Sequence, residues 1–261
     1  MEKSLREDLI STAAELADAA REATLQHFRA ADLSADNKGT TLFDPVTIAD
    51  REAERRMREI LARRRPHDAI LGEEMGANAG TSGLTWVLDP VDGTRAFLCG
   101  TPTWGVLVSV ADATGPIYGL IDQPYIGERF TGGFGIASTT GPLGARPLRT
   151  RPARPLAEAL LMTTFPEVGT PDEGAAFRRL SKQTRLTRYG MDCYAYALLA
   201  AGHIDLVVEA GLQPYDIQAP IAVIEAAGGI VTDWTGNPAH QGGRVIAAAN
   251  PEIHAAALAY L

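Results

Sequence analysis

Leu5, Leu9, Ala13, Leu16 and Ala20 return every three to four residues, the spacing of one helix face, so the chain is predicted to open with an amphipathic helix running to about Phe28. Residues 31–44 lose that period and read as a polar loop. Thr47-Ile48-Ala49-Asp50 has the pattern of a capping box, and Ala53, Met57, Ile60 and Leu61 form the apolar stripe of a second helix ending near Arg65-Pro66. The arginines at 63–65 read as a solvated helix end that complements the helix dipole. Strand patterns follow. An apolar run at 86–88 suits a buried strand, residues 106–110 and 117–121 flank Asp112-Ala113-Thr114-Gly115 as a hairpin, and 128–131 extends an antiparallel sheet.

Beyond Pro155 the pattern alternates: strand 159–164, helix 172–182, strand 185–188, helix 193–201, strand 204–208, helix 217–227, strands 230–233 and 244–248, and a last helix from Pro251. This predicts an N-terminal α+β half, residues 1–150, followed by a C-terminal α/β half, residues 151–261, packed as one unit. The glycine- and proline-rich segment 132–155 is the expected junction. A length of 261 residues with 46% hydrophobic content is enough for a substantial core. No run approaches the roughly 20 apolar residues of a membrane span, and the first residues lack the basic-then-apolar order of a signal peptide, so a cytoplasmic protein without membrane contact is expected. Cys99 and Cys193 imply neither a disulfide framework nor a thiolate zinc site, and both are expected as reduced, partly buried thiols. The net charge of −8 argues against a nucleic-acid surface and leaves room for a small charged substrate.

The chemistry concentrates in Trp86-Val87-Leu88-Asp89-Pro90-Val91-Asp92-Gly93-Thr94. Asp-Pro-x-Asp-Gly is a common turn, since Asp bonds its own backbone, Pro sets φ and Gly permits positive φ. A buried strand ending in two carboxylates also suits a hard divalent metal, and the Gly93-Thr94 amides ahead of the helix-compatible stretch 95–98 suit a phosphate. Further carboxylates, Asp50, Glu73, Glu74 and Asp216, are each explicable as caps or surface charges. Their joint arrangement is not. The histidines at 27, 67, 203, 240 and 254 match no ligand motif.

Gly72-Glu73-Glu74, then Asp89 to Thr94, then Tyr215-Asp216 before a helix ending in Ala227-Gly228-Gly229, together resemble the inositol monophosphatase superfamily of metal-dependent phosphomonoesterases. The resemblance spans about residues 37–236. It implies a five-layered αβαβα sandwich, usually a homodimer, with two or three Mg²⁺ per site. Glu73, Asp89 and the carbonyl of Val91 would hold one ion, and Asp89, Asp92 and Asp216 a second. It further implies catalytic roles for Asp50, Thr94 and Glu73, with Thr94 and Asp50 orienting and helping to deprotonate the attacking water, and phosphate binding at Gly93 and Thr94. Lys38 corresponds to a lysine often found before the Pro-Val-Thr segment, here at a longer interval.

Within the superfamily, Gly93-Thr94-Arg95-Ala96-Phe97 followed by Gly100-Thr101-Pro102-Thr103-Trp104-Gly105, the stretch from Tyr189 through Asp192 to Tyr196, Val208-Glu209-Ala210-Gly211-Leu212 and Pro214-Tyr215-Asp216 are similar to the histidinol-phosphate phosphatase branch. Asp192 and Glu209 then become candidates for binding the non-phosphate part of the substrate. Asp192 also reads as an N-cap of the helix at Cys193, and Glu209 as a strand-end charge. Trp104, Tyr194 and Tyr196 read as core and cleft wall. Gln213, Gln218 and Pro220 depart from the branch pattern. The implied reaction is hydrolysis of L-histidinol phosphate. A broader phosphatase for inositol, sugar or nucleotide monophosphates and a non-catalytic metal-binding relative are the competing readings.

Overall fold

The computed structural model describes residues 1–31, 33–37 and 45–261, and Lys38 lies outside them. Helix α1 (Lys3–His27) leads to the short paired strands β1 (Ala35–Asn37) and β2 (Pro45–Thr47), and then to α2 (Ile48–Arg64), where Thr47 and Asp50 complete the expected capping box. Strands β3 (Ala69–Gly72), β4 (Gly76–Asn78) and β5 (Thr85–Asp92) precede the one-turn helix α3 (Thr94–Cys99). A meander follows, β6 (Gly105–Asp112), β7 (Gly115–Gln123), β8 (Glu128–Gly133), β9 (Ile136–Thr140) and β10 (Arg146–Pro147). Among the described residues these strands form one sheet in the order β10-β9-β8-β7-β6-β5-β3-β4. Strands β9 and β10 fall within the segment expected as a junction, and the connecting stretch shortens to 148–159, pinned where Thr150 N–H donates to Ala227 O at 3.1 Å.

The remainder is β11 (Leu160–Thr163), α4 (Pro171–Ser181), β12 (Leu186–Tyr189), α5 (Asp192–Ala200), β13 (Leu206–Leu212), α6 (Pro214–Ala226), β14 (Ile230–Thr232), β15 (Gly243–Ala248) and α7 (Pro251–Leu258). Its sheet runs β12-β11-β13-β15-β14, with β11 parallel to β12 and β13.

Period-two burial on both faces of both sheets makes the layers. On β6 and β7, Val106, Val108, Val110, Tyr118 and Leu120 face α1 and α2, whereas Leu107 and Ile121 join the cluster built on α5 and α6. On β13 and β15, Val207, Val245 and Ala247 face that same cluster, and Leu206, Val208, Ile246 and Ala248 face α4 and α7. The order is therefore helices, large sheet, α5 with α6, small sheet, helices: the αβαβα sandwich. Helix α6 sits so close to the large sheet that a Cβ on Gly119 would lie 2.4 Å from Ala219 O. No helix among the described residues is long and apolar enough to cross a membrane.

Two expectations change. Of the arginines at the end of α2, Arg63 is exposed as expected, but Arg64 and Arg65 are not a solvated end. Arg64 bonds Asp8 and Glu15 of α1, and Arg65 bonds Asp8 and Asp68, because antiparallel packing of α1 on α2 brings the acidic start of one helix beside the basic end of the other. Of the thiols, Cys193 is buried but Cys99, ending the short α3, is exposed.

Candidate active site

Residues three apart on a regular strand face opposite sides. Asp89 pairs with Leu107 and Asp92 with Gly105, so three steps along β5 match two along β6 and one extra residue is absorbed between the two carboxylates. This β-bulge turns both to one side. Pro90 fits there because it has no N–H to give the ladder. Asp89 is buried and its Oδ1 accepts the Val91 N–H at 3.0 Å. Gly93 follows at φ 87°, a left-handed conformation, and a Cβ there would meet the Asp192 side chain at 2.8 Å, so glycine alone fits.

Helix α6 brings Asp216 in its first turn, where Oδ2 accepts the Gln213 N–H at 2.7 Å. Asp89, Asp92 and Asp216 each present an oxygen, and all three lie within 4.8 Å of one another. Glu73, just past β3, lines the same cleft, with its N–H donating to Leu88 O at 3.2 Å. Burial raises the Asp89 carboxyl well above the carboxylate range, and the charges of Glu73, Asp92 and Asp216 raise it further. Asp92 is raised by burial, then by Asp192 and Asp216, against the opposing hydrogen bond from Cys193. A cluster of oxygen donors this desolvated and mutually repelled fits a hard divalent cation.

Asp50 is buried on α2 and accepts from Thr47 N at 2.9 Å. The Thr94 hydroxyl at the start of α3 lies 3.3 Å from Asp50 Oδ1 and 3.2 Å from Val91 O. Asp50, Thr94 and the Val91 carbonyl thus form one connected patch beside the three aspartates.

The cleft has two lobes, of about 260 and 460 Å³, sharing Asp92, Gly93, Thr94, Gly211 and Asp216. The larger holds Glu73, Asp89 and Val91; the smaller holds Asp192, Glu209, Arg95, Phe165 and Tyr196. Glu209 owes its aim to regular alternation along β13, two residues beyond Val207 on the face turned to the central layer, and a second bulge follows it, since Glu209 pairs with Val245 and Leu212 with Gly243 on β15. It is a buried group and not an exposed strand end, accepting from Thr164 N at 2.7 Å and Thr163 Oγ at 3.2 Å. Burial outweighs those bonds and pushes its carboxyl up to about 7.

Asp192 does not cap α5. It is the helix's first residue, at φ 47°, and its Oδ2 accepts from Thr103 Oγ at 3.0 Å. The amide of Cys193 is instead met by Asp92 Oδ2 from the other sheet, which leaves Asp192 pointing into the cleft. Of the aromatics, Trp104 is buried against Phe28 and Phe97, and Tyr196 lines the cleft. Tyr194 turns away to donate to Glu128 at 2.7 Å. No histidine among the described residues lines either lobe. Sequence reasoning assigned no site role to Thr103, Thr163 and Thr164, which hold the Asp192 and Glu209 carboxylates, and of the three only Thr103 falls in a motif. It also missed Phe165, a 43% exposed ring under the Arg95 guanidinium, 4.9 Å away. The only signal for it was a large apolar residue in a polar loop.

A model of the inositol monophosphatase family matches residues 5–261. The chain is 40% identical over 254 residues to a bifunctional phosphatase, IMPL2, of Arabidopsis thaliana chloroplasts, covering 93% of this chain and 72% of that protein. It is 34% identical to the histidinol-phosphatase of Streptomyces coelicolor over 94% of each chain. Among solved structures, an inositol monophosphatase from Zymomonas mobilis superposes with a TM-score of 0.86 at 40% identity, over 97% of each chain.

Proposed function

The chain belongs to the inositol monophosphatase family and is a phosphoric monoester hydrolase, and from that premise we propose that it hydrolyses L-histidinol phosphate to L-histidinol and phosphate with Mg²⁺. The observation that carries the substrate is the smaller lobe: two partly or fully buried carboxylates, Asp192 and Glu209, beside the Phe165 ring. That combination suits a leaving group that is cationic and aromatic and offers nothing special to a neutral polyol.

In this reading Glu73, Asp89 and the Val91 carbonyl hold one Mg²⁺, and Asp89, Asp92 and Asp216 a second. Bound there, the ions supply Lewis acidity and a nucleophilic water at neutral pH. The chain does the rest. The amides of Gly93 and Thr94 bind the phosphate. Thr94 Oγ orients the attacking water and passes a proton toward Asp50 Oδ1, while Thr47 holds the other Asp50 oxygen in place. Asp192 and Glu209 grip the amine and imidazole, fixing the ester oxygen in line with the water. The protein is proposed to act as a homodimer, which sedimentation velocity would check.

The test is phosphate release from histidinol phosphate, inositol 1-phosphate, a nucleoside monophosphate and a sugar phosphate, each with Mg²⁺ and with chelator. A Mg²⁺-dependent preference for histidinol phosphate, with KM raised in Glu209→Gln and Asp192→Asn for that substrate alone, is the expected result. Equal or greater turnover of inositol 1-phosphate would favour the broader phosphatase, as the likeness to the Zymomonas mobilis structure would suggest.

A further inference from the structure

Helix α2 carries Asp50, Glu54 and Arg58 at intervals of four, on one face. Asp50 meets Thr94. One turn along, Glu54 is 0% exposed, which is rare for a carboxylate without a task. Its Oε2 accepts the Glu74 N–H at 2.7 Å and its Oε1 the Met75 N–H at 3.1 Å, while Arg58 Nε donates to Oε1 at 2.7 Å. Arg58 extends to the same hairpin through Asn78 Oδ1 at 2.8 Å and Gly76 O. On the other side of Glu73, a Cβ on Gly72 would lie 2.1 Å from Glu54 Oε1, so the carboxylate is pressed against the backbone there. One side chain thus bonds residues 74 and 75 and packs against residue 72, and residue 73 lies between them.

We propose that Glu54 is a positioning residue for the metal site: it locks the 72–75 turn so that the Glu73 carboxylate is presented to the cleft before an ion arrives. The inference rests on Glu73 being a metal ligand. An ordered ligand loses little freedom on binding, and removing a group that orients a ligand typically weakens metal affinity roughly 10–100-fold.

The variants are Glu54→Gln, which places an amide group against backbone donors, and Glu54→Asp, which keeps the charge beside Arg58 but is one methylene too short for the turn. Calorimetric titration with Mg²⁺ at a temperature where each protein is folded should show binding weakened roughly 10–100-fold in either. The Mg²⁺ concentration for half-maximal phosphate release should rise in parallel, with KM for substrate at saturating Mg²⁺ unchanged. A residue that only stabilises the fold would lower the metal-free melting temperature and leave the Mg²⁺ titration where it was; that result in whichever variant folds overturns the proposal. If the unaltered protein takes up no Mg²⁺ in the same titration, the metal reading of the site falls, and this inference with it.

Discussion

Glu209 is a carboxylate kept near neutrality by its surroundings. Burial lifts it from 4.5 in the open chain to about 7 in the fold. Because the folded state holds the proton more tightly, this group's contribution to stability is fully present below pH 4.5 and is lost as the pH rises toward 7. The loss amounts to ~3 kcal/mol. Glu209→Gln should therefore melt above the unaltered protein at pH 8, and the two curves should converge at acid pH; parallel curves would mean that Glu209 ionises freely. Asp92 poses a sharper question because it belongs to the cluster and its Oδ2 also accepts the Cys193 amide. Asp92→Asn keeps an acceptor for that amide and removes a charge. Turnover should drop by more than about 100-fold, beyond the cost of losing an outer partner, with the fold intact. Unchanged turnover would sink the two-metal assignment. The aspartates could be read from the chain because they sit in short motifs. Glu54 could not: it is one of four acids in the charged sequence of α2, and only the folded turn beside it gives it a task.

At the scale of elements, what could be read depended on how much of each signal was local. Helices α1 and α2 declare themselves through long apolar stripes and a capping box, and the β6–β7 hairpin through its turn. Strands β1, β4 and β10, two or three residues long and polar, exist because partners hold them, so no window of sequence reveals them. The bulge in β5 is equally silent, yet it decides where Asp92 points. The α1–α2 contact shows the same limit. Arg65 donates to Asp68 at 2.7 Å and to Asp8 at 2.9 Å, and Asp68, buried, also accepts from Trp86 Nε1 at 2.9 Å. Arg65→Ala should cost about 2–3 kcal/mol in urea unfolding, somewhat less than a fully buried pair, with turnover unchanged. Both carboxylates are held below their usual range, Asp8 chiefly by Arg64 and Asp68 by Arg65 against its own burial. The pair's contribution is present above the unfolded carboxylate value and fades as pH falls through the lowered one, so the deficit of the variant should close in acid.

For the molecule as a whole, the acidic cleft is a place where two bodies of structure meet. Asp89 and Asp92 come from the large sheet, Asp216 from α6 in the central layer, and the Asp92 bond to Cys193 ties the large sheet to α5 as well. With the cleft empty of cations, three carboxylates that repel one another stand at that junction, and part of the packing energy of α6 on the sheet is spent holding them together. An ion bound by all three reverses the sign of the interaction and fastens the layers. Stability should then follow mass action: raising free Mg²⁺ to 100 times its Kd adds about 2.7 kcal/mol, or roughly 5–10 °C in melting temperature for a chain of this size. General screening of a net charge of −8 would also raise the melting temperature, so the control must separate the two. Asp216→Asn changes the net charge by one and removes the carboxylate that α6 contributes to the proposed metal site. If the stabilisation is site-bound, this variant melts higher than the unaltered protein in chelator, having lost a repulsion, and gains little from Mg²⁺, so the two melting curves cross as Mg²⁺ is added. If screening is the cause, both proteins climb together and never cross, and the cleft is not what fastens α6 to the sheet.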